Sequence, residues 1–154
     1  MFNIVLHQPE IPPNTGNIIR LCANTESKLH LIHPLGFVIS EKNLERAALD
    51  YGEGVEIIHH KNFEAFLKNT QLKSYYSVST KGEPMINDTS MKAGDYLIFG
   101  SETKGLPKEC LTHKKCQKVI RIPMADGSRS LNLSNSVAIL VYYALGQNDF
   151  IGLS

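Results

Sequence analysis

Short apolar runs rich in β-branched and aromatic residues recur along the chain at positions 2–7, 29–33, 55–59, 75–79, 96–99 and 119–122. Runs of four to six residues with this composition predict strands. Between them the apolar spacing is helical: over 17–24, over 41–49 after Ser40, over 63–68 after Asn62, in a short piece from Pro107, and over about 132–146. Strands that alternate with helices and are apolar on both faces imply a mostly parallel sheet with helices on both sides. The expected fold class is α/β, in a single domain over residues 1–154.

With 42% hydrophobic residues in 154, the chain can bury a core without metal or disulfide staples. Sixteen Lys and Arg against fifteen Asp and Glu leave a formal charge of +1, so any nucleic-acid contact has to come from a local basic patch. The longest apolar run, 137–145, has nine residues, against roughly 20 for a bilayer-spanning helix. The start, Met1-Phe2-Asn3-Ile4, has no basic segment or cleavage-type small residues, and Cys22, Cys110 and Cys116 are odd in number. Together these give the expectation of a cytoplasmic protein with reduced thiols and no membrane partner. A zinc site at Cys110, His113 and Cys116 lacks a fourth ligand and would sit beside Lys114 and Lys115, so a solvated connector is expected there.

In open parallel sheets ligands bind beyond the carboxyl ends of the strands. Three segments so placed are unusual. Residues 8–20 carry stiffening prolines ahead of a helix, then Asn14, Thr15, Gly16 and Arg20. If Asn14 caps that helix, Asn14 and Arg20 face one side and form a phosphate or ribose clamp; the plainer alternative is an N-cap and a surface arginine. Residues 100–107 place Glu102 and Lys104 between Gly100 and Gly105, where glycines let backbone approach a ligand, or simply make a turn before Pro107. Residues 123–135 concentrate more Ser and Asn than one helix cap needs, just ahead of the most apolar helix. The 100–105 glycine spacing is not a phosphate loop, because Leu106-Pro107 stands where Lys-Ser/Thr belongs. Gly52-Glu53-Gly54 lacks the third glycine of a dinucleotide fingerprint, and neither G-x-S-x-G nor H-E-x-x-H occurs.

Taken together, Asn14-Thr15-Gly16-Asn17-Ile18-Ile19-Arg20, Leu97-Ile98-Phe99-Gly100-Ser101-Glu102-Thr103-Lys104-Gly105-Leu106-Pro107, and Ile122-Pro123-Met124 followed by Ser130-Leu131-Asn132-Leu133-Ser134 resemble the three motifs of SPOUT-class RNA ribose methyltransferases. The order and spacing run to about residue 146, and the short length with Ser128-Arg129-Ser130 and Tyr142 is most similar to the bacterial tRNA (cytidine(34)-2'-O)-methyltransferase family.

That resemblance implies a deep C-terminal trefoil knot, S-adenosylmethionine (SAM) as cofactor, no metal, and a homodimer. It implies 2'-O-methylation of the wobble nucleotide, cytidine or modified uridine at position 34, in the anticodon stem-loop of tRNA. By motif position it puts cofactor contacts on Val78, Gly100, Ile122, Ser130 and Leu131, and the catalytic set on Arg20, Asn14, Glu102 and Asn132, with Ser130 also in the polar site. Lys104 and Arg129 are the implied RNA contacts, with Lys81 and Lys108 nearby, and Tyr142 the implied dimer contact. Glu102 is expected to orient Arg20, across the dimer interface or within one chain. Ser101 and Lys104 depart from the Pro and Arg common in that family, and Lys loses the bidentate fork of Arg. Other readings stay open on sequence alone: methylation of another tRNA position or of rRNA by the same fold, a non-catalytic knotted RNA-binding dimer, or an α/β phosphate-binding protein.

Overall fold

A computed structural model describes residues 1–38 and 54–154, and its strands form one wholly parallel sheet. The strands are β1 (Asn3–His7), β2 (Lys28–Ile32), β3 (Ile57–His60), β4 (Tyr75–Val78), β5 (Tyr96–Phe99) and β6 (Cys116–Ile120), in the order β3-β2-β1-β5-β4-β6. The helices are α1 (Pro12–Asn24), α2 (Phe63–Thr70), α3 (Lys108–Thr112) and α4 (Leu133–Gly146), with a 3-10 turn at Ile86–Asp88. The helix expected over 41–49 lies outside the described residues.

Alternation along each strand divides its side chains between two cores. Ile4, Leu6, Leu97 and Phe99 join Ile18 and Ile19 of α1 and Val137, Leu140 and Val141 of α4. Val5 and Ile98 join Phe63 and Phe66 of α2 and Cys110 of α3 on the opposite face. Each such Ile, Leu or Phe taken fully out of water contributes about 1.5–3 kcal/mol. The expected α/β class, with helices on both faces, is what these residues build.

Among the departures from the sequence reading, two boundaries and one connector have clear physical reasons. Helix α1 begins at Pro12 instead of residue 17, because its first two positions need no N–H and proline's fixed φ suits them. Strand β6 runs Cys116–Ile120 instead of 119–122: it pairs with β4 from Tyr75, and Arg121 then turns its backbone to Pro84 and Ile86. The segment expected as a solvated connector is not one, since Cys110 is fully buried and its carbonyl accepts hydrogen bonds from the hydroxyls of Tyr75 and Ser77. Among the described residues the potential metal-ligand atoms that cluster, within 4.8 Å of one another, belong to His7, Glu109 and Cys110, a different set from the one weighed on sequence.

Chain order reverses between β1 and β5: β2 and β3 lie outward on one side, β4 and β6 on the other. That is the topological switch point of an open sheet, and the crevice beyond the carboxyl ends there is where such folds bind ligands. The chain leaving β1 is the proline-rich first segment, and the chain leaving β5 is the glycine-flanked second one.

Candidate active site

A cavity of about 450 Å³ opens at the switch point. It is lined by residues 78–81 after β4, 99–106 after β5, Ile122 and Met124 after β6, and 130–133 ahead of α4, with Ile11 and Asn14 from the start of α1. Val78, Gly100, Ile122, Ser130 and Leu131, drawn from four separate segments, all line it, as do Asn14, Glu102, Asn132, Lys81 and Lys104. Arg20, Arg129 and Tyr142 do not: all three are exposed.

The three motif segments are tied by amides and one carboxylate. Asn132 caps α4, its Oδ1 accepting from the backbone N–H groups of Ser134 and Asn135, while its Nδ2 donates to Asn14 Oδ1 over 2.9 Å. Asn14 Nδ2 in turn donates to Glu102 Oε1 over 3.1 Å. Glu102 also accepts from the backbone N–H of Glu10 at 2.7 Å and of Ile11 at 3.0 Å. Helix α1 has no side-chain cap of its own and no acidic residue in its first turn. Glu102, 91 residues away in sequence from Ile11, therefore supplies the carboxylate that a helix N-terminus favours.

These contacts revise two expectations. Asn14 is not the cap of α1; Ile11 is, and Asn14 is buried in the first turn. At about 100° per residue, six residues leave Asn14 and Arg20 about 120° apart around the helix, so they do not share a face. The contacts that Glu102 makes within the chain fix the start of α1.

Gly100 has a reason the sequence did not show. A Cβ there would lie 2.1 Å from the carbonyl carbon of Gly105 and 2.2 Å from the nitrogen of Leu106. The close approach it permits is therefore of the 101–105 turn onto its own stem. Gly105, at φ +67°, donates its N–H to the Ser101 carbonyl at 2.9 Å and closes that turn.

Two residues escaped the sequence reading. Thr103 Oγ1 donates to both carboxylate oxygens of Glu10, at 2.8 Å each. The hydroxyls of Thr103 and Ser101 and then the charge of Lys104 hold the Glu10 carboxyl below its ordinary range. No spacing rule links residues 93 apart, so the pair had no signal in the sequence. Of the excess Ser and Asn in the third segment, Asn132 caps α4, Ser134 bonds to Asn132 and Ser128 to the Ala125 carbonyl. Local turn and cap geometry thus absorbs more of them than expected.

Residues 1–142 match the model of the SpoU rRNA Methylase family. The chain belongs to that family. The tRNA (cytidine(34)-2'-O)-methyltransferase of Saccharophagus degradans is 53% identical over 152 residues, covering 99% of each chain. A solved structure described as giving structural insights into the 2-OH methylation of C/U34 on tRNA is 40% identical, with a TM-score of 0.87 over 97% of both chains. More distant, at 20% identity, is the SpoU methyltransferase AviRb of Streptomyces viridochromogenes, solved in complex with AdoMet. It superposes with a TM-score of 0.82 over 96% of this chain and 60% of its own, a likeness of fold.

Proposed function

We propose that this chain is an enzyme that transfers a methyl group from SAM to the ribose 2'-oxygen of the wobble nucleotide, position 34, of tRNA. The observation that carries the reading is the convergence of all three motif segments on one cavity at the switch point, in a chain 53% identical over nearly its full length to a tRNA (cytidine(34)-2'-O)-methyltransferase.

The cavity suits SAM. Its volume lies in the range of small-molecule sites, about 300–1,000 Å³. Leu106, Leu111, Met124 and Leu131 offer apolar surface for an adenine ring, and the glycine-flanked 100–105 backbone offers N–H and C=O groups for its edge. When bound, SAM supplies a methyl group activated by a cationic sulfonium. Val78, Gly100, Ile122, Ser130 and Leu131 are the proposed cofactor contacts, and Asn14, Glu102 and Asn132 keep the three segments in register around them.

Methyl transfer forms a ribose O–C bond as the methyl C–S bond breaks, and the 2'-hydroxyl proton passes to solvent water. The chain has to place that hydroxyl in line and lower the cost of its developing negative charge. Arg20 is proposed for this: its guanidinium can hold the nucleotide's phosphate and stabilise the alkoxide, whereas its ordinary pKa, about 12.5 or above, makes it a poor base. Lys104 at the cavity and Arg129 beside it supply basic contacts for the anticodon stem-loop, with a salt dependence set by the number of phosphates met.

A homodimer completes the reading. Arg20 does not line its own chain's cavity, and the outer face of α4 exposes Ile139 and Tyr142, 41% and 47% accessible. We place Tyr142 at the dimer contact and Arg20 toward the partner's cavity. The C-terminal trefoil knot, the single domain over 1–154 and a cytoplasmic location belong to the same proposal. The family match supports the first and the free thiols of Cys22, Cys110 and Cys116 the last. No helix among the described residues is long and apolar enough to cross a membrane.

The test is methyl transfer from labelled SAM to tRNA from a host lacking this gene, with nucleoside mapping of the product. Label on the ribose of nucleotide 34 is expected. Label confined to another tRNA position or to rRNA would keep the fold and overturn the target.

A further inference from the structure

We infer that Glu10 and Thr103 are a positioning pair that fixes the 101–105 turn, and with it Lys104, against the cavity. Neither residue belongs to the catalytic or cofactor set proposed above, and the inference rests on the reading of that cavity as the SAM site.

The 101–105 turn is a closed unit. Gly105 N–H reaches the Ser101 carbonyl at 2.9 Å, Lys104 N–H reaches Ser101 Oγ at 3.3 Å, and the Gly100 stem packs directly against the Gly105 and Leu106 backbone. A unit that is stiff within itself still has to be held relative to its surroundings. Glu102 pins one point, on the N–H groups that precede α1. Thr103 and Lys104 lie beyond that point along the turn. The second point is the Thr103 hydroxyl on the Glu10 carboxylate, bifurcated over both oxygens at 2.8 Å.

Glu10 is suited to act as the fixed partner. Gly36 N–H donates to the Pro9 carbonyl at 2.9 Å, and the Gly36 backbone lies so close that a Cβ there would be 2.8 Å from Glu10 Cα. The two loops thus hold each other reciprocally: the side chain of Glu102 takes the backbone of Glu10, and the side chain of Glu10 takes Thr103. A hydroxyl donating to a charged carboxylate is a strong form of hydrogen bond, and the hydroxyl-stabilised Glu10 anion is available across the neutral pH range. Between these anchors stands Lys104, so the charge offered at the cavity rim has its place set from residue 10.

Thr103 is exposed, so Thr103→Val removes the hydroxyl without disturbing the core. In the whole chain, the expected result is a rise of about five-fold or more in the Kd for SAM and the KM for tRNA, with the thermal midpoint unchanged. Thr103→Ser restores both constants. Glu10→Ala matches Thr103→Val, and the double variant is no worse than the worse single one, because the two residues act through one bond. SAM binding by calorimetry is read first. If the wild-type chain does not bind SAM, the reading of the cavity and this inference both fall. If it binds and Thr103→Val stays within about two-fold in both constants, or the two losses add, the pair is overturned while the cavity reading stands.

Discussion

Asn132 Nδ2 donates a hydrogen bond to Asn14 Oδ1 over 2.9 Å, joining residues 118 apart in sequence and the helix starts of α1 and α4. Each amide also makes a second contact, since Asn132 Oδ1 caps α4 and Asn14 Nδ2 holds Glu102. Removing either residue therefore leaves polar groups on two other segments without their partner.

Asn14→Ala is expected to cost about 1–3 kcal/mol, because the site is buried and two bonds are lost. At about 2–4 °C per kcal/mol for a chain of this size, thermal unfolding should fall by several degrees. Asn132→Asp separates the cap from the link. It keeps the oxygen that caps α4 but faces Asn14 Oδ1 with another oxygen, and turning the Asn14 amide over only moves the clash to Glu102. The variant is predicted to retain its helical content and lose SAM affinity; unchanged affinity by calorimetry would remove the tie from the account of the site.

Gly100→Ala is predicted to be worse than any side-chain truncation at the cavity. Its Cβ meets the backbone of Gly105 and Leu106 at 2.1–2.2 Å, and backbone has no rotamer to retreat to. The 101–105 turn has to lift from its stem, so SAM binding should be lost together with a fall in thermal midpoint. A variant that binds SAM normally would show that the turn does not form the cavity wall.

Buried imidazoles set a pH limit on stability. His30 Nδ1 lies 2.9 Å from His60 Nε2, and burial, then the charge of His60, pushes His30 down to about 4, while burial lowers His60 as well. The unfolded chain, with His near 6.5, binds protons more readily between these values. Stability from this pair is therefore fully present above about pH 6.5 and lost as pH falls toward about 4. Thermal melts over that window should show a falling midpoint, and His30→Phe, ionised at no pH and set beside Phe66 and Tyr96, should flatten the slope. An equal slope in the variant would assign the acid sensitivity elsewhere.

Arg20→Ala is predicted to abolish methyl transfer while SAM still binds, since Arg20 lies outside the cavity lining. Single-turnover transfer assays with calorimetry on the same preparation separate the two functions. Loss of SAM binding, or full transfer activity, would contradict the role given to Arg20.

The sequence carried the strands because parallel strands buried on both faces have to be nearly continuous apolar runs, and 96–99 and 75–79 read that way. It carried the cavity because the three motif segments follow strand ends. What it did not carry was contact between distant side chains. Pro12 and Pro13 read as a stiff approach, yet they are the first turn of α1, and that shift turned Asn14 from a cap into a buried link. Nothing local marked Glu102 as the carboxylate that holds the start of a helix 91 residues away, or Thr103 as the partner of Glu10. The excess of Ser and Asn within 123–135 looked like surplus polarity because side-chain bonds back to the local backbone and caps leave no periodic trace.

The most direct test of the central claim is transfer of labelled methyl to a tRNA whose nucleotide 34 alone carries 2'-deoxyribose, beside the all-ribose control. The account predicts that both tRNAs bind with the same affinity and the same salt dependence, and that only the control is methylated. Undiminished labelling of the deoxy tRNA would contradict the claim that this chain methylates the wobble ribose.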